Sequence, residues 1–536
     1  MYLTLTQPEK VVAAFLNNNN RSDLLLAGMW FLGAALLYFL TRSVSLDEYD
    51  SINLALGVGE FNLSAHQPHP PGAPVFIFLG KLLHASGMSI ENALIALSSI
   101  GGGLLVASGF FVVAKLHSRA LGFWFALCLA LLPGVWMTAG KAMTDTLGIG
   151  LMLMSAAFIV AAEHDPDRAP RLAMAAVVIA ALAIGVRPTL APLQLLILLY
   201  GLTLKLTWRS RLYSAVLFGI VCLCWLVPTI ISQAQLPDNQ HGLLNFFYQL
   251  KAFKELSTSI AVWHYDFQQL SLDYTLKQLA KHLGGMGYFG MGLNVWYPEA
   301  VDTYLARIQT SLTPWDPSLQ KWSVAGTLVF ILFAVGWVKA LYSLRKCRPS
   351  GFMVFASVWS LIAFVYAFLS VPPLMRYYIP VFPALLLPPL FAFYQSRYRH
   401  AILPLFCGLV LFNTMGLAHN QHTRFAPPVE LLRALDDTLE QQSLDRSNVV
   451  LFLNAAVRRH AEWYAPDLQL LEGEITMETL ENLPDDALIF TNMRIAEPAF
   501  SVRLERVSEH YRNLRVWMRH NHVELYRVEL VKGSVS

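Results

Sequence analysis

Apolar residues come in long runs along this chain, and polar residues gather in the gaps between them. A helix needs about 20 mostly apolar residues to cross a bilayer. On that rule eleven spans are predicted, over residues 23–42, 91–114, 120–138, 146–162, 172–186, 189–205, 212–231, 321–342, 351–371, 378–394 and 401–418. Val75–Ala85 is apolar but only about half a span long, so it reads as interfacial or re-entrant. Two long segments break the series. Residues 232–320 mix Pro, Gly, Tyr and Trp and contain the flexible stretch Gly284–Gly292; a lid and an interface-hugging loop fit equally. From 419 to 536 the pattern becomes that of a soluble domain. There Val449–Leu453 and Ala487–Phe490 read as short buried strands, Pro428–Gln441 as a helix, and Leu514–Leu530 as a hairpin turning at His520–His522. The expected fold is a polytopic α-helical membrane domain, residues 1–418 with loops 43–74 and 232–320, followed by a small α/β domain, 419–536.

Composition agrees: 55% of the 536 residues are hydrophobic and 14% charged, against about 25% charged in soluble proteins. Residues 1–20 are polar and Asn-rich, so the run Leu24–Leu40 reads as an uncleaved first span. The net charge of +3 decides little; the placement of Lys and Arg decides orientation. With the N-terminus in the cytoplasm, the inner loops hold Lys115 and Arg119, Arg168 and Arg171, Lys205, Arg209 and Arg211, Arg345, Lys346 and Arg348, and Arg397 and Arg399. The outer connections hold only Lys141, Arg187 and Arg376, with Arg42 ending the first span. This predicts a multi-pass membrane protein with its N-terminus in the cytoplasm and its C-terminal domain on the outer side. The basic residues are loop anchors, which argues against nucleic-acid binding. The five cysteines, at 128, 222, 224, 347 and 407, lie in spans or an inner loop, so no structural disulfide is expected.

Candidate chemistry collects on the outer face. The first outer loop opens with Asp47, Glu48 and Asp50 and closes with His66 and His69-Pro70-Pro71-Gly72. Charge beside a membrane marks a functional site by default. Glu60 and Asp145 add acid, and Lys141, Arg187 and Arg376 add cations. Taken singly, Lys141 is as well explained by snorkelling and Arg187 by a structural ion pair. Taken together, five separate elements bring charge to one face. Acids beside cations suit a lipid-phosphate substrate. A carboxylate deprotonates an acceptor hydroxyl, and cations neutralise a departing phosphate. His66 and His69 could ligate a divalent cation, but their spacing falls in a Pro-rich turn. No cofactor is therefore certain, and a divalent cation stays open.

Four blocks resemble the GT-C superfamily of polyprenyl-phosphate-sugar-dependent glycosyltransferases, in particular the group that holds the lipid A aminoarabinose transferases and the protein O-mannosyltransferases. They are Leu46–Asp50 followed by His69–Pro74, Lys141–Leu147, Gly185–Pro188, and Arg376–Pro383. Each is weak alone; their order, spacing and common face are more specific. The resemblance spans residues 23–418. It implies an inverting transfer of one sugar from a polyprenyl-phosphate donor to a glycan, lipid or exported protein, with membrane lipids as surroundings. Asp47 would be the general base or position the acceptor, Glu48 could take that role instead, and Asp145 would be the second acid. His69, Lys141, Arg187 and Arg376 would face the donor phosphate. His69 stands where the group often has Lys, a departure that makes phosphate binding more pH-dependent. Two other classes fit the same residues: a transporter of lipid-linked sugars, and a polysaccharide ligase or polymerase with a diphosphate-linked donor. A transporter needs polar groups near the midplane, whereas here most spans are apolar at mid-length.

Overall fold

A computed structural model describes residues 20–265 apart from 238, residues 320–344, a few positions between 358 and 365, residues 378–471, scattered positions from 475 to 493, and residues 502–511 and 522–530. Arg376, Cys347, the Gly284–Gly292 stretch, the inner-loop residues Arg345, Lys346 and Arg348, and most of the predicted span 351–371 lie outside the described residues. The membrane domain runs α1 (Asn20–Leu40), α2 (Tyr49–Gly59), α3 (Pro74–Ala85), α4 (Ile90–Leu116), α5 (Arg119–Leu131), α6 (Pro133–Ala139), α7 (Thr144–His164), α8 (Ala169–Val186), α9 (Ala191–Gly201), α10 (Trp208–Ala234), α11 (Asn245–Tyr265), α12 (Gln320–Leu344), α13 (Phe382–Tyr394) and α14 (Arg399–Thr423). Among the described residues six helices are long and apolar enough to cross a membrane, or seven if the bent pair α5–α6 counts as one. The chain is a polytopic helical membrane protein. Two predicted spans are shorter than expected: 189–205 becomes the 11-residue α9 after a 3₁₀ turn at Pro188–Leu190, and 378–394 becomes the 13-residue α13. Leu24, Leu25, Met29, Leu32 and Leu36 on α1, and Leu212, Val216, Ile220 and Leu223 on α10, are exposed apolar faces suited to lipid.

α4 is the hub. Ser89 caps it by accepting from the Asn92 N–H, and three consecutive glycines open it to neighbours. A Cβ on Gly101 would stand 2.2 Å from the Leu147 backbone of α7, and one on Gly103 would stand 2.6 Å from the Phe31 carbonyl of α1. Gly150 of α7 faces the Gly101 carbonyl in the same way. Small residues let membrane helices approach this closely. The predicted span 120–138 is broken at Pro133, where α5 and α6 meet at 59°. Proline has no N–H and frees carbonyls one turn back. Tyr38 donates to the Ala130 carbonyl at 2.9 Å and Thr414 to the Leu131 carbonyl at 2.6 Å, so neighbouring helices satisfy the break. At the end of the bundle remote from Asp47, Lys115 and Arg119 clasp the buried Asp23 carboxylate.

The tail folds as α15 (Pro427–Gln442), β1 (Val449–Phe452), α16 (Ala455–Tyr464), β2 (Gln469–Leu471), β3 (Leu488–Thr491), β4 (Val502–Tyr511) and β5 (His522–Leu530). Its five-stranded sheet has the order β2-β1-β3-β5-β4, with β2, β1 and β3 parallel and β5 antiparallel to both β3 and β4. Every residue of β1 is buried. One face takes Leu431, Leu435 and Val457 from the helices, and the other takes Val450, Phe452 and Ile489. The hairpin differs from expectation. Tyr511 pairs with His522, so His522 begins a strand whose partner is 502–511, and residues 512–521 of the expected hairpin lie outside the described residues. Charged positions in 502–511 (Arg503, Glu505, Arg506, Glu509) masked its strand pattern.

Candidate functional site

The first loop follows directly from α1 and is tied down residue by residue. Trp136 donates to Thr41 Oγ1 at 2.7 Å, and the Ser43 N–H donates to the Gly140 carbonyl at 2.9 Å. Ser45 Oγ accepts from the Ala426 N–H at 2.9 Å and donates to Asp47 Oδ1 at 3.1 Å. Glu48 is the N-cap residue of α2 but makes no side-chain cap bond. Its carboxylate turns to Lys141. Lys141 Nζ stands 3.5 Å from Asp47 Oδ2 and 3.5 Å from Glu48 Oε1, and its side chain is 3% exposed. The N-terminus of α2 adds a favourable field for these acids and for Asp50 in its first turn.

Lys141 sits in the turn between α6 and α7. Ser98 of α4 grips that turn: its hydroxyl accepts from the Met143 N–H at 3.0 Å and donates to the Met143 carbonyl at 2.7 Å. Asp145, fully buried, lies in the first turn of α7. Arg187, the C-cap of α8, donates to Asp145 Oδ2 and Thr144 Oγ1, each at 2.9 Å. Its stem lies over Gly148, where a Cβ would meet the Arg187 Cβ at 3.0 Å. Asp145 Oδ1 is buried with no hydrogen-bond partner. Ser51 of α2 contacts Met143 Sδ at 3.3 Å and joins the two charge groups across the turn.

The His-Pro corner forms a third group. Asn62 and Gln67 exchange backbone hydrogen bonds, and Gln233 of α10 bonds the Phe61 carbonyl and the Leu63 N–H. Gly72 has φ 76°, and a Cβ there would meet Leu63 and Phe61; only glycine suits both constraints. His69 Nδ1 lies 3.5 Å from Asp50 Oδ1, and its ring stacks on Phe253 at 5.7 Å. Burial, then Arg459, holds the His66 imidazole below its ordinary range, with Asp50 opposing. Among the described residues, no three His, Cys, Asp or Glu side chains are grouped to hold a metal.

Of the residues singled out from sequence, Asp47, Glu48 and Lys141 therefore form one cluster, and Asp145 and Arg187 an adjoining one. His69 meets Asp50, on the helix that Glu48 caps, and Arg376 lies outside the described residues. Sequence reasoning did not single out Ser45, Thr144 or Asn53. Asn53 is one turn beyond Asp50, fully buried, with neither amide atom hydrogen-bonded. A polar residue at this place in an apolar stretch was the available signal.

The described residues form a polytopic helical membrane protein with a cluster of buried charge at one end of its bundle. No described family and no curated protein matches the sequence. The likeness appears in structure. ArnT from Cupriavidus metallidurans bound to undecaprenyl phosphate matches with a TM-score of 0.51 at 14% identity, over 93% of this chain and 97% of that one. Its apo state gives 0.50 with the same coverage and identity. An oligosaccharyltransferase from Archaeoglobus fulgidus gives 0.45 at 13% identity, over 83% of this chain and 64% of that one. At such identities the shared property is the fold.

Proposed function

We propose that this protein is an integral membrane glycosyltransferase that moves one sugar from a polyprenyl-phosphate donor to an acceptor on the outer face of the membrane. The observation that carries the reading is the buried Asp47–Lys141–Glu48 cluster beside Asp145 and Arg187. Asp47 takes the proton of the acceptor hydroxyl, with Glu48 as the alternative base. The acceptor oxygen attacks the anomeric carbon, the bond from that carbon to the phosphate oxygen breaks, and the configuration inverts. Cations nearby neutralise the phosphate as it leaves; Lys141, Arg187, His69 and Arg376 are the candidates. Asp145 Oδ1, unpartnered and buried, accepts from a sugar or acceptor hydroxyl.

Two points support this reading. ArnT, which has the same fold, binds undecaprenyl phosphate. Among the described residues the buried charged groups lie toward the two ends of the bundle, as interfacial chemistry requires and midplane transport does not. The test uses membranes containing the full chain and a set of polyprenyl-phosphate sugars, with mass spectrometry of envelope lipids, glycans and exported proteins. Asp47→Asn should lower transfer about 100- to 10,000-fold. Full transfer by that variant removes Asp47 from the mechanism, and an unchanged sugar inventory without the chain overturns the transferase reading. Competition between monophosphate and diphosphate lipids identifies the donor class.

A further inference from the structure

The acidic loop is held on its far side by the tail domain. The Leu46 N–H donates to the Tyr464 hydroxyl at 2.8 Å, and the Leu46 carbonyl lies 3.1 Å from His460 Nε2. Both backbone polar groups of Leu46, the residue before Asp47, are thus engaged by α16. One residue earlier, the Ala426 N–H at the start of α15 donates to Ser45 Oγ, which itself donates to Asp47 Oδ1. α16 is fixed in turn. Trp463 donates to Glu91 Oε1 at the start of α4 at 3.1 Å, and Arg459 donates to the Ala65 carbonyl in the His-Pro corner. His460 is 1% exposed and Leu46 is 1% exposed, so this is a dry contact.

We propose that the C-terminal domain is a positioning element of the active site: Tyr464, His460 and the Ala426–Ser45 link hold residues 45 and 46 and so aim the Asp47 carboxylate. The proposal rests on the reading of Asp47 as the acid that handles the acceptor. Asp47 has Lys141 on one carboxylate oxygen and Ser45 on the other. Lys141 comes from the membrane domain, and Ser45 is set by the tail. A carboxylate whose orientation is set from two domains keeps its angle only while the two stay docked. Small displacements of a catalytic group lower turnover far more than ground-state binding.

The test uses the full-length protein in nanodiscs with three readouts: hydrogen exchange of peptides covering residues 41–52, binding of undecaprenyl phosphate, and transfer kinetics with the donor the wild type uses. Tyr464→Phe removes one hydroxyl, and Ser45→Ala removes the link to Asp47. Both should speed exchange over 44–48 and leave undecaprenyl phosphate affinity within about twofold, and both should lower kcat roughly 10- to 100-fold. His460→Gln keeps a donor and should retain more of the rate than His460→Ala. If Tyr464→Phe loosens the whole tail, Ser45→Ala decides, because it leaves the core of the tail intact. Faster exchange with wild-type kcat overturns the proposal and leaves the transferase reading standing. A wild type that transfers no sugar overturns that reading, and the positioning role falls with it.

Discussion

Lys141 offers the sharpest test of the site's electrostatics. Consider Lys141→Met, which keeps the length of the side chain and removes its charge. Nζ lies 3.5 Å from a carboxylate oxygen of Asp47 and of Glu48, whose side chains are 0% and 10% exposed. At an effective dielectric of about 20, each contact is worth roughly 5 kcal/mol before desolvation. Burying the ammonium offsets much of that. Removing one partner of a buried pair nevertheless costs about 3–5 kcal/mol, because the remaining charge loses that compensation. Here two carboxylates remain, with those oxygens within about 7 Å of each other, and like charges this close favour uptake of a proton. The variant should therefore be destabilised by about 3–5 kcal/mol at neutral pH and should recover part of that loss on acidification. Wild type should show no such recovery from this cluster. Lys141→Arg keeps the charge and should lose less. The assay is unfolding of the purified protein in detergent at several pH values, with transfer measured in parallel. A Lys141→Met protein as stable as wild type at every pH would refute the reasoning, since Lys141 would then compensate neither acid.

Other expectations follow the same logic. Arg187→Leu strips the cation from the fully buried Asp145 and should cost about 3–5 kcal/mol. The double variant with Asp145→Leu should regain stability in the same melts but not activity. Gly101→Ala drives a methyl to 2.2 Å from the Leu147 backbone; it should cost about 3 kcal/mol or more and show as loss of the monodisperse peak in size-exclusion chromatography. Asn53→Leu removes a buried amide that has no hydrogen-bond partner. It should stabilise the protein by about 1–3 kcal/mol, and a lower melting temperature would show that the amide has a structural partner. Folding holds the His66 pKa below 6.5, so near that pH the unfolded chain binds a proton the folded chain does not. Stability should fall as pH drops from 6.5 through the folded value, and His66→Gln should flatten that part of the pH–stability curve.

Hydropathy alone located most of the membrane helices, because their cost in lipid depends on composition over one segment. Ser89, the cap of α4, and Asp145, in the first turn of α7, sit where local rules put them. What local rules missed depends on distant partners. α2 escaped notice because Tyr49–Gly59 is short, directly follows two acids and a serine-rich turn, and carries a third acid, Asp50, in its first turn; it is held as a helix by burial of Ile52, Leu54 and Ala55 against neighbouring elements. The break at Pro133 was hidden because Tyr38 and Thr414, far away in sequence, satisfy the carbonyls it frees. The charged face was legible as a group from the exceptions to the positive-inside pattern. Its pairing, Lys141 to Asp47 and Glu48 but Arg187 to Asp145, was not, since any of the cations could have met any of the acids.

Leu46 meets Tyr464 across 418 residues of chain and His460 across 414. At synthesis rates of about 5–20 residues per second, roughly 20 to 80 s pass between emergence of the loop and emergence of the helix that holds it. Throughout that time the spans are inserting while the acidic loop waits undocked. A polypeptide released early, after its last span, carries every charged residue of the site and none of the groups that hold the Leu46 peptide. The geometry of the loop thereby depends on completion of translation, and a chain that ends before α16 lacks both contacts to Leu46.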